Sequence, residues 1–265
     1  MFTFRPVASA AAVVLGLSAA AAPAASAATI AALQNGTRIV WIDTDQKKTT
    51  GSVTLARGAS LVGIDVRPAD GKVYGLAPDG AIVTVDVKTG AWEKVSQLSE
   101  ALPAGVAVAV DFNPVADRMR VIAANGLNLR VNVTDGKATV DGMLKYAAID
   151  TAMSRTPMVT AAGYTNSMAG AKETTLYDVD TAAGTLLKQA PPNDGVLATV
   201  GPLGLTLRGA AAFDVWSDGM GKNVGWLVSG GTLHTVDLAT GKATVVGAIG
   251  GLTGDVTDIA ILPAM

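Results

Sequence analysis

The chain of 265 residues is 49% hydrophobic and 16% charged, with a formal net charge of −2, a balance that suits one folded domain or two small ones. No cluster of Lys and Arg marks a nucleic-acid face, and no cysteine is present to form a disulfide or carry a lipid. At this size roughly three quarters of the unfolded surface can be buried, so packing alone can hold the fold.

The N-terminus is read as a signal peptide. Arg5 supplies the positive start, Val7 to Leu17 is apolar and Ala-rich, and Ala25-Ser26-Ala27 fits a small-x-small cleavage site. Residues 1–27 are therefore expected to be removed, leaving an exported chain from Ala28 in the periplasm or outside the cell. The apolar run is too short for a membrane helix, and no later stretch reads as a span. Losing Arg5 leaves 19 basic against 22 acidic residues, a net charge of −3. Residues 28–265 read as one domain.

Along that domain two phrases alternate. The hairpin phrase appears first, as RIVWIDTDQKKTTGSV. GIDVRP with Asp65 follows, then a second hairpin, AIVTVDVKTGAWEKV. VDFNP with Asp111 precedes NLRVNVTDGKATV, and AGYTNS with Tyr164 precedes TLYDVDTAAGTLL. AFDVWS with Asp214 precedes TLHTVDLATGKATVV, and TDIAIL with Asp258 ends the series. The marked residues lie 46, 53, 50 and 44 positions apart, the spacing of four-stranded propeller blades. Alternating β patterns bounded by Asp79-Gly80, Asn125-Gly126, Asp135-Gly136 and Gly230-Gly231 make every segment a strand or a turn. Ser96 to Ala101 is at most one helical turn.

The order of the phrases also predicts how the sheet ends. The first hairpin lacks an Asp phrase, and the last Asp phrase lacks a hairpin. Joined, they complete one blade, and a closed ring has no exposed sheet edge. The expected fold is all-β, a propeller of five four-stranded blades. Six blades is the alternative if Met158 to Leu207 hides another sheet. A β-sandwich does not explain the permuted repeat.

DFNPVADRMRVIAANGLNLRVN, YTNS, TLYDVDT, PPNDGVLATVGPLG and TLHTVDLATGKATVVGAIGG closely resemble the bacterial exported family DUF4394, from about Leu61 to Leu262. The resemblance implies a secreted propeller-type domain. It brings no activity and no catalytic residues with it. Some relatives carry a C-terminal sorting anchor, whereas this chain ends at Ile261-Leu262-Pro263-Ala264-Met265, so a free soluble monomer is expected.

Two sets of polar residues are candidate sites. Alternate residues of a strand share a face, so Arg118 falls with Arg120, and Asn128 with Arg130 and Asn132. If Asn125-Gly126 turns the chain, these faces coincide. Arg118, Arg120 and Arg130 could pair with Asp111, Asp117 and Asp141 between blades, since a buried Arg needs a partner. Alternatively the strip, with Asn113, Tyr164 and Asn166, could bind an anion or a sugar through guanidinium forks and amides. The second set is a ring of Asp65, Asp111, Asp214 and Asp258, one per innermost strand, with Tyr164 in the fifth place. Arg67, Asn113, Asn166 and Trp216 follow two residues on. Such carboxylates could hold calcium, or each could bond the adjacent strand once per blade.

The remaining features are weak signals. His234 is the only histidine and cannot build a multi-histidine metal site. Trp41, Trp92, Trp216 and Trp226 could stack on sugars or pack between blades. There is no Gly-x-Ser-x-Gly elbow, phosphate loop or HExxH. The leading expectation is therefore a non-enzymatic exported module that binds an unidentified small molecule, glycan or protein, without nucleic acid and without membrane insertion. A carbohydrate-active or lactone hydrolase using the central carboxylates, with or without calcium, is one alternative. A structural protein of the envelope or matrix is another.

Overall fold

The protein is described from a computed structural model covering Met1 and residues 28–207 and 210–263. The expected signal peptide lies outside the described residues apart from Met1. Among those residues, no helix is long and apolar enough to cross a membrane.

The chain begins with β1 (Thr29–Gln34), β2 (Arg38–Asp43) and β3 (Lys48–Thr54). Blade 2 follows as β4 (Gly63–Val66), β5 (Val73–Leu76), β6 (Ala81–Val85) and β7 (Trp92–Gln97). Blade 3 is β8 (Val108–Asn113), β9 (Arg118–Ala123), β10 (Asn128–Val131) and β11 (Ala138–Val140). A strap carrying β12 (Lys145–Tyr146) leads to blade 4, which is β13 (Val159–Tyr164), β14 (Leu176–Asp180), β15 (Thr185–Gln189) and β16 (Val196–Pro202). Blade 5 is β17 (Ala211–Ser217), β18 (Asn223–Ser229), β19 (Thr232–Val236) and β20 (Ala243–Ala248). The last strand, β21 (Val256–Leu262), pairs antiparallel with β1 and completes blade 1.

The ring thus closes with one strand from the far end of the chain, and five blades result. The segment from Met158 to Leu207 holds β13 to β16, which is one blade, so there is no sixth. The strand β12 adds to the outer edge of blade 4 in parallel with β16. Ser96 and Gln97 end β7 rather than forming a helical turn.

The hairpin phrase folds the same way in each blade, because its Asp or Asn side chain caps the turn that follows. Asp43, Asp86, Asn132, Asp180 and Asp237 each accept a backbone N–H two residues on, and four of them a second N–H three residues on. This is the Asx turn. The Gly that ends the phrase is also fixed by its neighbour. At Gly136, φ is +75° and a Cβ would lie 1.9 Å from the carbonyl oxygen of Gln97 on the preceding blade.

The apolar residues divide into five clusters, one per gap between blades. Ile30 and Ala32 of blade 1 meet Trp226 and Val228 of blade 5, and Tyr74 and Leu76 of blade 2 meet Val110 and Phe112 of blade 3. Blades 1 and 2, 3 and 4, and 4 and 5 meet in the same manner. The core is therefore the set of faces between sheets, and each inner strand is buried on both sides.

Candidate functional site

Blade 3 presents the Arg/Asn strip to blade 4. In the ladder Asp111 stands opposite Arg120, and Arg120 opposite Arg130, so the three share one face. Arg120 is 2% exposed and fully committed. Its Nε donates to the Tyr164 hydroxyl, Nη1 to Asn128 Oδ1 and Asp141 Oδ2, and Nη2 to Asn193 Oδ1. Arg130 forks onto the same Asp141 carboxylate, at 2.7 and 2.9 Å. Asn128 donates to the backbone oxygens of Gly142 and Pro192.

The rest of the strip is dispersed. Arg118 reaches only the backbone oxygens of Ala116 and Asp117, while the Asp117 carboxylate is taken by Arg67 of blade 2. Asn113 caps its own turn through Val115 and Ala116 and its side chain also bonds Tyr164, while Asn132 caps its turn through Thr134. Among these residues Arg120, Arg130, Asn128 and Tyr164 form one network that joins two blades. Asp111 answers no arginine.

The four aspartates of the inner strands converge on the axis, and each latches the next blade. Asp65 accepts the N–H of Phe112 in blade 3, Asp111 that of Tyr164 in blade 4, Asp214 that of Ile261 in blade 1, and Asp258 that of Ile64 in blade 2. In Asp65, Asp214 and Asp258 the other oxygen accepts the N–H of the following residue. The missing fifth place is Gly163, one residue before the expected Tyr164. Ala109 and Asp111 face blade 4, and the matching face of β13, the one turned to blade 5, carries Ala161 and Gly163. Tyr164 points the other way, to Arg120, because a step of one residue reverses the face of a strand.

Electrostatically this ring is uncompensated. Burial, and then the charges of its neighbours, push the carboxyls of Asp65 and Asp111 well above the usual range. Burial raises Asp258 likewise, and Asp214 to about 6 against the pull of two N–H donors. No basic side chain counts among the main influences on any of them. Ligand oxygens of Asp65, Asp111 and Asp214 all lie within 4.8 Å of one another, a spacing that oxygen ligands can adopt around a hard cation.

The ring opens to solvent where the inner strands end. A cavity of about 480 Å³ has Asp65 and Asp214 in its lining, with Trp216, Met168, Ser217 and Ile261 around them. Sequence reasoning placed Trp216 two residues beyond Asp214 but could not show that it stands beside the carboxylates. It also missed Asp178, a fully buried carboxyl on β14 with no hydrogen bond to either oxygen. His234 and Trp226 are buried in blade 5 and are not part of this lining.

Five sheets around a buried axis, latched inner strand to inner strand, define the chain as a five-bladed β-propeller. The chain belongs to the family described as "Domain of unknown function (DUF4394)", which matches residues 38–260. No curated protein matches it. A protein of unknown function from Bacteroides thetaiotaomicron VPI-5482 superposes with a TM-score of 0.53 at 18% identity, over 90% of this chain and 65% of the other. One of unknown function from Bacteroides caccae gives 0.44 at 13%, over 85% and 74%. An auxiliary nutrient binding protein from Bacteroides ovatus gives 0.45 at 17%, over 74% and 52%. At 18% identity the first of these likenesses concerns the fold alone.

Proposed function

We propose that the protein is an exported, non-enzymatic binding module that takes a ligand rich in hydrogen-bond donors at the axial mouth. The observation that carries this reading is the cavity of about 480 Å³ with two carboxylates of the uncompensated ring and a half-buried Trp216 in its lining. Acceptor groups that repel one another favour an occupant bearing hydroxyls or an amine, and an aromatic wall adds apolar contact. The latches on Asp65, Asp111, Asp214 and Asp258 recur from blade to blade, and a job repeated with the blade favours joining over hydrolysis. Export rests on the N-terminal pattern of residues 1–27.

Thermal unfolding of the mature chain is the test, with polyols, monosaccharides and small amines added in turn, and with calcium or EDTA. A ligand at a hundred times its dissociation constant adds about 2.7 kcal/mol, a clear rise in melting temperature. The rise should vanish in Trp216→Ala. If calcium alone moves the melt, the ring is a cation site and the reading of a donor-rich organic ligand fails.

A further inference from the structure

Three cavities lie in a row on the face that carries the axial mouth. All are lined by the turns that follow inner strands, by outer turns on the same side and by the strand ends that enter them. The first, about 550 Å³, sits between blades 4 and 5 and includes Asn166, Asn223, Glu173 and Tyr177. The second is the axial mouth. The third, about 600 Å³, sits between blades 1 and 2 and includes Trp92, Glu93, Asp86 and Lys72. The second and third share Gly71, Leu262 and Pro263. The first and second are divided by one hydrogen-bonded wall, in which Asn223 donates to Asn166 Oδ1 while Ser217 donates to Asn223 Oδ1. The gaps 4/5 and 1/2 have two blades between them on one side and three on the other. In a ring of five, no two gaps are nearer to opposite.

We infer that this row is a cleft for an extended oligosaccharide without acidic groups, seated across the ring with its middle unit at the axis. The inference rests on the proposed axial site and extends it to both sides. Each cavity offers one half-buried aromatic side chain (Tyr177, Trp216, and Trp92 with the Arg57 guanidinium 4.7 Å from its ring centroid) together with carboxylate, amide or hydroxyl groups. That pairing suits sugar rings, whose faces are apolar and whose rims carry hydroxyls. The row also holds more acids than bases, which disfavours an acidic chain.

The measurement is calorimetric binding of the mature chain to glucose-, xylose-, mannose- and glucosamine-based series, from monomer to hexamer. Polygalacturonate and hexalysine serve as the acidic and peptide comparisons. In at least one series affinity should rise with length until three cavities are filled, and polygalacturonate should not bind. Tyr177→Ala and Trp92→Phe should each weaken the hexamer, Tyr177→Ala by about ten-fold, and leave the monomer unchanged. The length dependence of the unmodified protein decides the matter if a variant fails to fold. Affinity that does not grow with length, while Trp216→Ala still abolishes binding, overturns the cleft and leaves the axial site standing. Hexalysine binding more tightly than every hexamer makes the face a peptide site and overturns the inference. If no sugar, amine or polyol binds at all, the axial site falls with it.

Discussion

Asp178 is the residue whose environment departs furthest from the ordinary. It lies between Leu187 and Ala162 in the ladder, fully buried, with both oxygens unbonded. Burial lifts its carboxyl from 3.8 to about 8, with the nearby Arg120 pulling the other way. A raised acid holds its proton in the fold and loses it in the unfolded chain. Its contribution to stability is therefore greatest below about pH 4 and is lost as pH rises toward about 8. Asp178→Asn removes that slope. Urea unfolding at pH 5 and pH 8 should show a smaller difference between the two pH values in the variant, with a gain of roughly 1–3 kcal/mol at pH 8. An unchanged pH slope would mean that Asp178 does not titrate in this range. Arg120 and Asp141 are the counter-case, since there a buried charge has its partner within blade 3, one of the two readings the sequence offered for its three arginines. Asp178 was not legible, because TLYDVDT reads as ordinary alternation until the partners on both sides are known.

At the scale of strands and turns, the hairpin phrase works because a capping side chain and a terminal glycine act together. Gly136 has a left-handed φ of +75° and would carry a Cβ 1.9 Å from Gln97 O, whereas Gly71 has φ +69° with nothing within 4 Å. Gly136→Ala should cost more than the roughly 1–2 kcal/mol of left-handed strain, and Gly71→Ala about that strain alone. Chemical denaturation of the two variants compares them directly. Equal losses would mean that blade 2 moves aside freely. The slip at Tyr164 belongs to this scale as well. The repeat aligned AGYTNS by its apolar pattern, but small residues at Ala161, Ala162 and Gly163 carry no preference for either face. Only the neighbours of each side chain, Phe213 on one side and Arg120 on the other, decide it.

The whole molecule depends on one non-local pairing, β21 on β1, whose register runs from Thr29 opposite Leu262 to Gln34 opposite Val256. Deleting residues 256–265 removes the inner strand of blade 1, Ile259 and Ala260 from two gaps, and the Asp258 latch on Ile64. That chain should lose cooperative unfolding and become open to proteolysis. A permutant that joins Pro263 to Ala28 through a short glycine linker and begins at Gly58 should fold, since the two ends already meet. Thermal unfolding followed by circular dichroism distinguishes them. A cooperative melt in the truncated chain would show that the four other blades are stable as an open ring.

By itself the sequence determined the strand periodicity, the turn chemistry, the permuted repeat and hence the number of blades and their closure. These follow from local rules repeated five times, and repetition makes weak signals add. It also named Arg120, Arg130, Asn128 and the four inner-strand aspartates, though not Asn193 or Asp178. Only the tertiary structure decided what each one faces: Arg120 to blade 4, the four aspartates to the axis, and Trp216 to the mouth beside Asp65 and Asp214. A strand pattern fixes which residues share a side. It does not say whether that side meets a neighbouring blade, the axis or water, because burial is set by residues far away along the chain.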